Sequence, residues 1–170
     1  MNRYGAFRTL AKFALILTAV VVAQGILSLR LRVFNYFDLP LIYSIYYGFT
    51  LANPAGSIAI GSVLGLMQDS MSGATLGTNG FTKTLIGFLS ASAVTKFDVE
   101  QPITRSLALV SFTFLDLAIK GLLSLLANAG SGSVQVFGLG VGFWVLSAVF
   151  NVLFGLILFG YRSRFGHVSA

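Results

Sequence analysis

The chain has 170 residues, of which 56% are hydrophobic and only 9% charged, and its mean hydropathy is +0.87. A water-soluble domain has too little polar surface to enclose that much apolar side chain, so the composition predicts an integral membrane protein. The net charge of +6 resides on cations at the ends of apolar runs, a positive-inside pattern rather than a nucleic-acid footprint, and the absence of Cys with a single His excludes disulfides, iron–sulfur clusters and thiolate metal sites.

At roughly 20 residues per crossing, the length accommodates about six helical spans with short loops and leaves no room for a separate soluble domain. Strand-type alternation is absent, and abundant Phe, Tyr and Gly suit packed helices facing lipid. The predicted fold class is therefore all-α, a polytopic membrane helical bundle forming one domain over 1–170.

Arg3, Arg8 and Lys12 precede the first apolar run, 13–29, which Arg30 and Arg32 close. A cleavable signal begins in the same way, but this run has no small-residue cleavage site and reads as a retained span. The segments 39–52 and 55–68 flank Asn53-Pro54. As one helix they would reach about 45 Å, longer than the hydrocarbon is thick, so two short helices joined at Asn-Pro are expected.

A fourth span is expected over 79–94. The charged hinge Lys96 to Arg105, with Asp98, Glu100 and Pro102, separates it from a fifth over 106–127. An uncharged loop centred on Gly130-Ser131-Gly132-Ser133 leads to a sixth over 137–161, closed by Arg162 and Arg164. With the amino terminus in the cytoplasm, Arg3, Arg8, Lys12, Lys96, Arg105, Arg162 and Arg164 lie inside and only Arg30 and Arg32 outside. Both termini are then cytoplasmic, and the turn after the third span faces outward.

Few residues carry chemistry. Asp116 and Lys120 stand at i and i+4 on the fifth span, where a carboxylate and an ammonium share one helix face. They read either as a mutually neutralising pair inside the bundle or as a polar contact or relay. Lys83 can reach back to Asp69, or it can lie among headgroups while Asp69 caps the next helix. Ser57, Gly61 and Gly65 recur every four residues, and Ala19 with Ala23 repeats that spacing on the first span, both patterns of close helix contact.

Gly138, Gly140 and Gly142 lack the strand and the Lys-Ser/Thr of a phosphate loop, so nucleotide binding is rejected. His167 lies in a polar tail, where no hydrolytic triad can form around it, so neither enzymatic activity, nor a cofactor, nor a metal is expected.

One segment departs from the apolar pattern: Gly65-Leu66-Met67-Gln68-Asp69-Ser70-Met71-Ser72-Gly73-Ala74-Thr75-Leu76-Gly77. A carboxylate among glycines marks a chain reversal or a packed helix junction. The segment resembles the motif of the bacterial rod-shape-determining MreD family, approximately Gly-Leu-x-x-Asp-x-x-Ser-Gly-x-x-Leu-Gly. The matching residues are Gly65, Leu66, Asp69, Ser72, Gly73, Leu76 and Gly77. Ala74-Thr75 and Thr78-Asn79 stand where members often have a Pro and a His or aromatic residue.

The resemblance implies a non-enzymatic scaffold of the cell-wall elongation complex in the bacterial inner membrane. Such a subunit binds MreC directly and, through it, RodA, its transpeptidase and the MreB filament. It also implies a bundle like the substrate-binding subunits of energy-coupling-factor vitamin transporters, which is the alternative function. In that reading Ala19 and Ala23 would dock a transport module. For the scaffold, the partner-facing site is expected at the Asp69 reversal and its glycine-rich helices.

Overall fold

The computed structural model describes residues 3–30, 36–72, 77–98, 101–128 and 141–165. Among them are six helices and no strand: α1 (Arg3–Arg30), α2 (Leu39–Leu51), α3 (Pro54–Ser72), α4 (Thr78–Ala93), α5 (Pro102–Asn128) and α6 (Val141–Phe165). Gly73 and Leu76 of the motif, the Gly130–Ser133 loop, Gly138, Gly140 and His167 lie outside the described residues.

Local chemistry sets the helix boundaries. Asp38 caps α2 by accepting the Leu41 N–H at 3.0 Å, with Pro40 in the first turn, where a missing N–H is harmless. α2 ends at Ala52, in the left-handed conformation (φ 46°), whose N–H donates to Gly48 O at 3.1 Å. Asn53 then accepts the Ala55 N–H at 3.1 Å, and Pro54 begins α3. The Asn-Pro break thus separates two helices, because Pro disfavours helical backbone before it and suits a first turn after it.

The interior falls into two parts. At one end Leu41, Ile45, Phe49, Ile86, Leu109 and Phe159 form an apolar core. Tyr46 packs against Phe159 with ring centroids 5.2 Å apart and the rings tilted by 54°, and the Arg105 guanidinium lies over the same Phe159 ring at 5.1 Å. On the other flank Leu17 and Val21 of α1 pack on Ile60 and Leu64 of α3.

The most extensive helix contact joins α3 to α4. Ser57, Gly61 and Gly65 lie buried along it. A Cβ at Gly61 would stand 2.8 Å from the Lys83 carbonyl carbon, one at Gly65 would collide with Asn79 O, and one at Gly87 would stand 2.6 Å from Ser57 O. Bare backbone on both helices allows this approach. Ser62 and Thr84 hydroxyls hydrogen-bond across the seam at 2.7 Å.

The small-residue spacing on α1 is used differently. Leu17, Val21 and Gln24 face the bundle, whereas Ala19 is exposed and Ala23 half-buried. At 100° per residue Ala19 lies about 200° around the helix from Leu17, so the expected close contact is not made there within the chain.

Beside the apolar clusters, ionisable and amide groups are buried while many large apolar residues are exposed. Lys83, Asp69, Asp116, Asn79 and Asn151 are buried, while Leu29, Ile103, Leu107, Leu126 and Ile157 lie largely exposed. By length and hydropathy, one helical stretch among the described residues, Pro102–Leu126, is long and apolar enough to cross a membrane. The stretches Ala14–Arg30, Leu39–Leu51 and Val145–Gly160 are apolar but shorter. α4, at 16 residues, is short as well, and serines, glycines, Gln68 and Asp69 dilute the hydropathy of α3.

Candidate functional site

The polar residues converge on one half of the bundle, where the C-terminal halves of α1, α3 and α5 meet the N-termini of α2 and α4. Asp69, in the last turn of α3, reaches the first turn of α4. Its Oδ2 accepts the N–H groups of Gly77 (2.9 Å) and Gly80 (3.0 Å), and its Oδ1 accepts the N–H of Asn79 (3.0 Å) and the Asn79 side-chain amide (2.9 Å). The carboxylate thereby satisfies helix-start donors that otherwise have no partner and meets the positive end of the helix dipole. Gly77 itself has φ 97°, a conformation glycine adopts without steric cost.

Four described motif residues, Gly65, Leu66, Asp69 and Gly77, meet the start of α4 at this junction, while Ser72 bonds within α3. Gly65 lies against Asn79 and Gly80 backbone, Leu66 lies over the face of Gly80, and the Ser72 hydroxyl approaches Asp69 O at 3.5 Å. Of the two arrangements open for Asp69, the structure has the helix cap. Lys83 adopts neither position expected of it, because it is fully buried and pairs with a residue the sequence reading passed over.

That residue is Asp38. Lys83 Nζ donates to Asp38 Oδ2 at 3.0 Å and to Asn79 Oδ1 at 3.2 Å. Lys120 Nζ donates to the same Asp38 oxygen at 3.1 Å and lies 2.6 Å from Asp116 Oδ2. Asp116 Oδ1 stands 3.9 Å from Lys83 Nζ and has no hydrogen-bond partner. Two carboxylates and two ammonium groups therefore form a closed cluster of balanced formal charge. Asn79 ties it to the Asp69 cap by donating to one carboxylate and accepting from Lys83.

Uncharged groups hold the cluster in place. Asn151 of α6 accepts the Asp38 N–H at 3.1 Å and donates to Thr113 Oγ1 at 3.3 Å. Gln24 of α1 donates to Phe37 O at 2.8 Å and accepts the Leu39 N–H at 3.3 Å. Burial alone would raise the Asp38 pKa, but Lys83 and Lys120, with the Leu41 N–H, outweigh it and hold the carboxyl well below its ordinary range.

Beside the cluster lies a cavity of about 630 Å³ between α1, the 36–41 segment, the end of α3, α5 and α6. Asp38, Asp116, Lys120, Gln68 and Asn151 line it together with apolar side chains such as Val21 and Met71. No group of three or more His, Asp or Glu capable of holding a metal occurs among the described residues.

The Asp38 partnerships span 45 and 82 residues of sequence. The available signal was Asp38-Leu39-Pro40, an acidic cap followed by Pro in the first turn at the start of an apolar run. Compared with protein-family models, with curated proteins and with solved structures, the chain matches none.

Proposed function

We propose that this chain is a non-enzymatic scaffold of the bacterial cell-wall elongation complex, similar to MreD, whose six helices cross the inner membrane with both termini in the cytoplasm. The membrane part rests on the exposed apolar surface together with the buried charges, since a bundle that buries Lys83 and Asp116 and exposes Leu29 and Ile103 suits hydrocarbon better than water. In this threading the Asp69 junction and the charge cluster share the outer half of the bundle.

The observation that carries the scaffold reading is how the MreD-like segment is used. Gly65, Leu66, Asp69 and Gly77 all serve one junction that fixes α3 against α4. That junction sets a rigid outer face on which Val63, Leu66, Phe81 and Phe88 are exposed. A transmembrane helix of MreC packed on this face would read its shape, and RodA, the transpeptidase and MreB would join through MreC. Gly61 and Gly65 face α4, so their part in partner binding is indirect.

Co-purification with MreC in nanodiscs tests the proposal, combined with photo-crosslinkers at Leu66, Phe81 and, on the far side, Ile157. Crosslinks to MreC from Leu66 and Phe81 but not from Ile157 are expected. Failure to co-purify would refute the scaffold role, and crosslinks from Ile157 alone would move the docking face to α6. The alternative, a substrate-binding subunit of a vitamin-type transporter, is favoured by the cavity beside Asp116, and it predicts co-purification with an energising module in place of MreC.

A further inference from the structure

We infer that the cavity between α1 and the α5–α6 pair is a binding site for the headgroup of a zwitterionic lipid that carries an N–H-bearing ammonium beside a phosphate, as phosphatidylethanolamine does. The inference rests on the membrane part of the reading above and not on the scaffold role.

The position of the cavity suits a lipid. Helix α1 packs on α2 and α3, and α6 on α5 and α2, but among the described residues α1 touches neither α5 nor α6. The cavity, about 630 Å³, occupies that gap on an open flank of the bundle. It is set at helix ends, since Leu29 and Ser72 stand in the last turns of α1 and α3 and Asp38 caps α2. In a bundle that spans a bilayer this is the depth of the headgroups. Ile26, Leu29 and Met71 line the cavity and are also largely exposed, so its apolar wall runs out onto the surface that faces hydrocarbon and gives acyl chains a path.

The chemistry of the headgroup follows from the two charges that reach the cavity. Lys83 is fully buried, whereas the side chains of Lys120 and Asp38 are 23% and 16% exposed and both line the cavity. Lys120 Nζ donates to Asp38 Oδ2 at 3.1 Å and meets Asp116 Oδ2 at 2.6 Å, which uses two of the three hydrogens of an ammonium. Asp38 Oδ2 accepts from Lys83 and Lys120, but Asp38 Oδ1 accepts only the Leu41 N–H and keeps a lone pair.

A cationic donor and an anionic acceptor on paired side chains thus remain for a ligand. A phosphate oxygen can take the Lys120 hydrogen while an ammonium N–H gives one to Asp38 Oδ1, and such charge-assisted bonds are about twice as strong as those of a neutral hydroxyl. Asp38 and Asp116 already balance Lys83 and Lys120, so a ligand bearing both signs preserves the balance and one with a net charge does not. A trimethylammonium headgroup, as in phosphatidylcholine, has no N–H to give.

The test is the thermal unfolding midpoint of the full chain in phosphatidylcholine nanodiscs, compared with nanodiscs in which phosphatidylethanolamine or phosphatidylglycerol of the same acyl chains is mixed. Phosphatidylethanolamine should raise the midpoint by roughly 5 °C, the shift of a ligand at about a hundredfold excess over its dissociation constant. Phosphatidylglycerol should leave it unchanged, and free phosphoethanolamine added to phosphatidylcholine nanodiscs should give less than half the shift.

Two variants locate the effect, each read against its own midpoint in phosphatidylcholine. Lys120→Gln removes the ammonium. Gly25→Leu adds bulk to the cavity wall away from every charge, where a Cβ would meet only the flexible end of Met71 at 3.0 Å, and it decides the matter if Lys120→Gln does not fold. The shift should fall by more than half in both. A chain that fails to enter phosphatidylcholine nanodiscs would overturn the membrane reading and this inference together. One that enters them and shows no phosphatidylethanolamine shift would overturn the inference alone. An equal shift with phosphatidylglycerol, a full shift with the free headgroup, or a full shift retained in folded Gly25→Leu would do the same.

Discussion

Asp69 and Asp38 are two carboxylates in one apolar bundle that each accept N–H groups at the start of a helix, Asp69 from the last turn of α3 and Asp38 from its own cap position, and the protein stabilises them by different means. Asp69 is held by neutral donors alone, three backbone N–H groups and an amide. Asp38 takes one backbone N–H and two ammonium groups. The first arrangement is local, eight to eleven residues in span, and carries no second charge that needs shelter. The second draws in α4 and α5 and brings a buried cation, Lys83, and a half-buried one, Lys120. The difference teaches that a helix start can satisfy a buried carboxylate by itself, whereas a cation partner commits several helices to one arrangement.

The widest gap between the two should appear on removing Lys83. Lys83→Met takes a donor from both Asp38 and Asn79 and leaves Lys120 alone against the two carboxylates Asp38 and Asp116, a loss of about 3–5 kcal/mol expected for breaking a buried pair. Reversible unfolding in detergent measures it. Adding Asp38→Asn to Lys83→Met should recover part of that loss, since Lys120 then balances the single carboxylate of Asp116, and no recovery would mean that Lys83 acts through packing alone.

Asp69→Ala is next in size, at about 2–3 kcal/mol, because it strands buried N–H donors at the start of α4. Asp69→Asn should fall between that variant and wild type. A loss for Asp69→Ala as large as that for Lys83→Met would erase the distinction between neutral and charged support.

The α3–α4 seam comes third. Gly61→Val drives a side chain into Lys83 backbone and should cost about 1–3 kcal/mol by overpacking. Gly142→Val, where a Cβ meets nothing within 4 Å, is its matched control and should be close to neutral.

Acid provides a fourth probe. Because the Asp38 carboxyl is held below its ordinary value, its contribution is complete above the unfolded pKa near ~3.9 and is lost as pH falls from there towards the lower folded value. Unfolding midpoints followed from neutral pH downward should show no Asp38-dependent change until about pH 4. Below that, wild type should lose stability faster than Asp38→Asn.

How much of this was legible in sequence follows the same division. The six helices follow the apolar runs, and Asn53-Pro54 marked the break between α2 and α3. The Ser57–Gly61–Gly65 spacing marked the seam, and the i,i+4 spacing put Asp116 beside Lys120, because each of these depends on residues a turn or two apart. The motif marked Asp69 as a junction and left cap and ion pair both open. Asp38 joined to Lys83 and Lys120 was not legible, since no local period connects residues on three helices. Asn79 escaped for a related reason: only the packed junction makes it a donor to one carboxylate and an acceptor from Lys83.

The smallest expected effect concerns α1. Ala19 points away from Leu17 and Val21, so Ala19→Leu should change stability by no more than about 0.5 kcal/mol, as surface substitutions do. Its value lies in what it separates. Helix α1 carries two small residues at partner-docking spacing, and only Ala23 is partly covered within the chain. If Ala19→Leu leaves both unfolding and MreC co-purification unchanged while Leu66→Ala with Phe81→Ala weakens co-purification, the docking face is the one the Asp69 junction holds rigid. If Ala19→Leu alone releases MreC, the partner lies on α1 instead, and the junction is a structural device with no share in recognition.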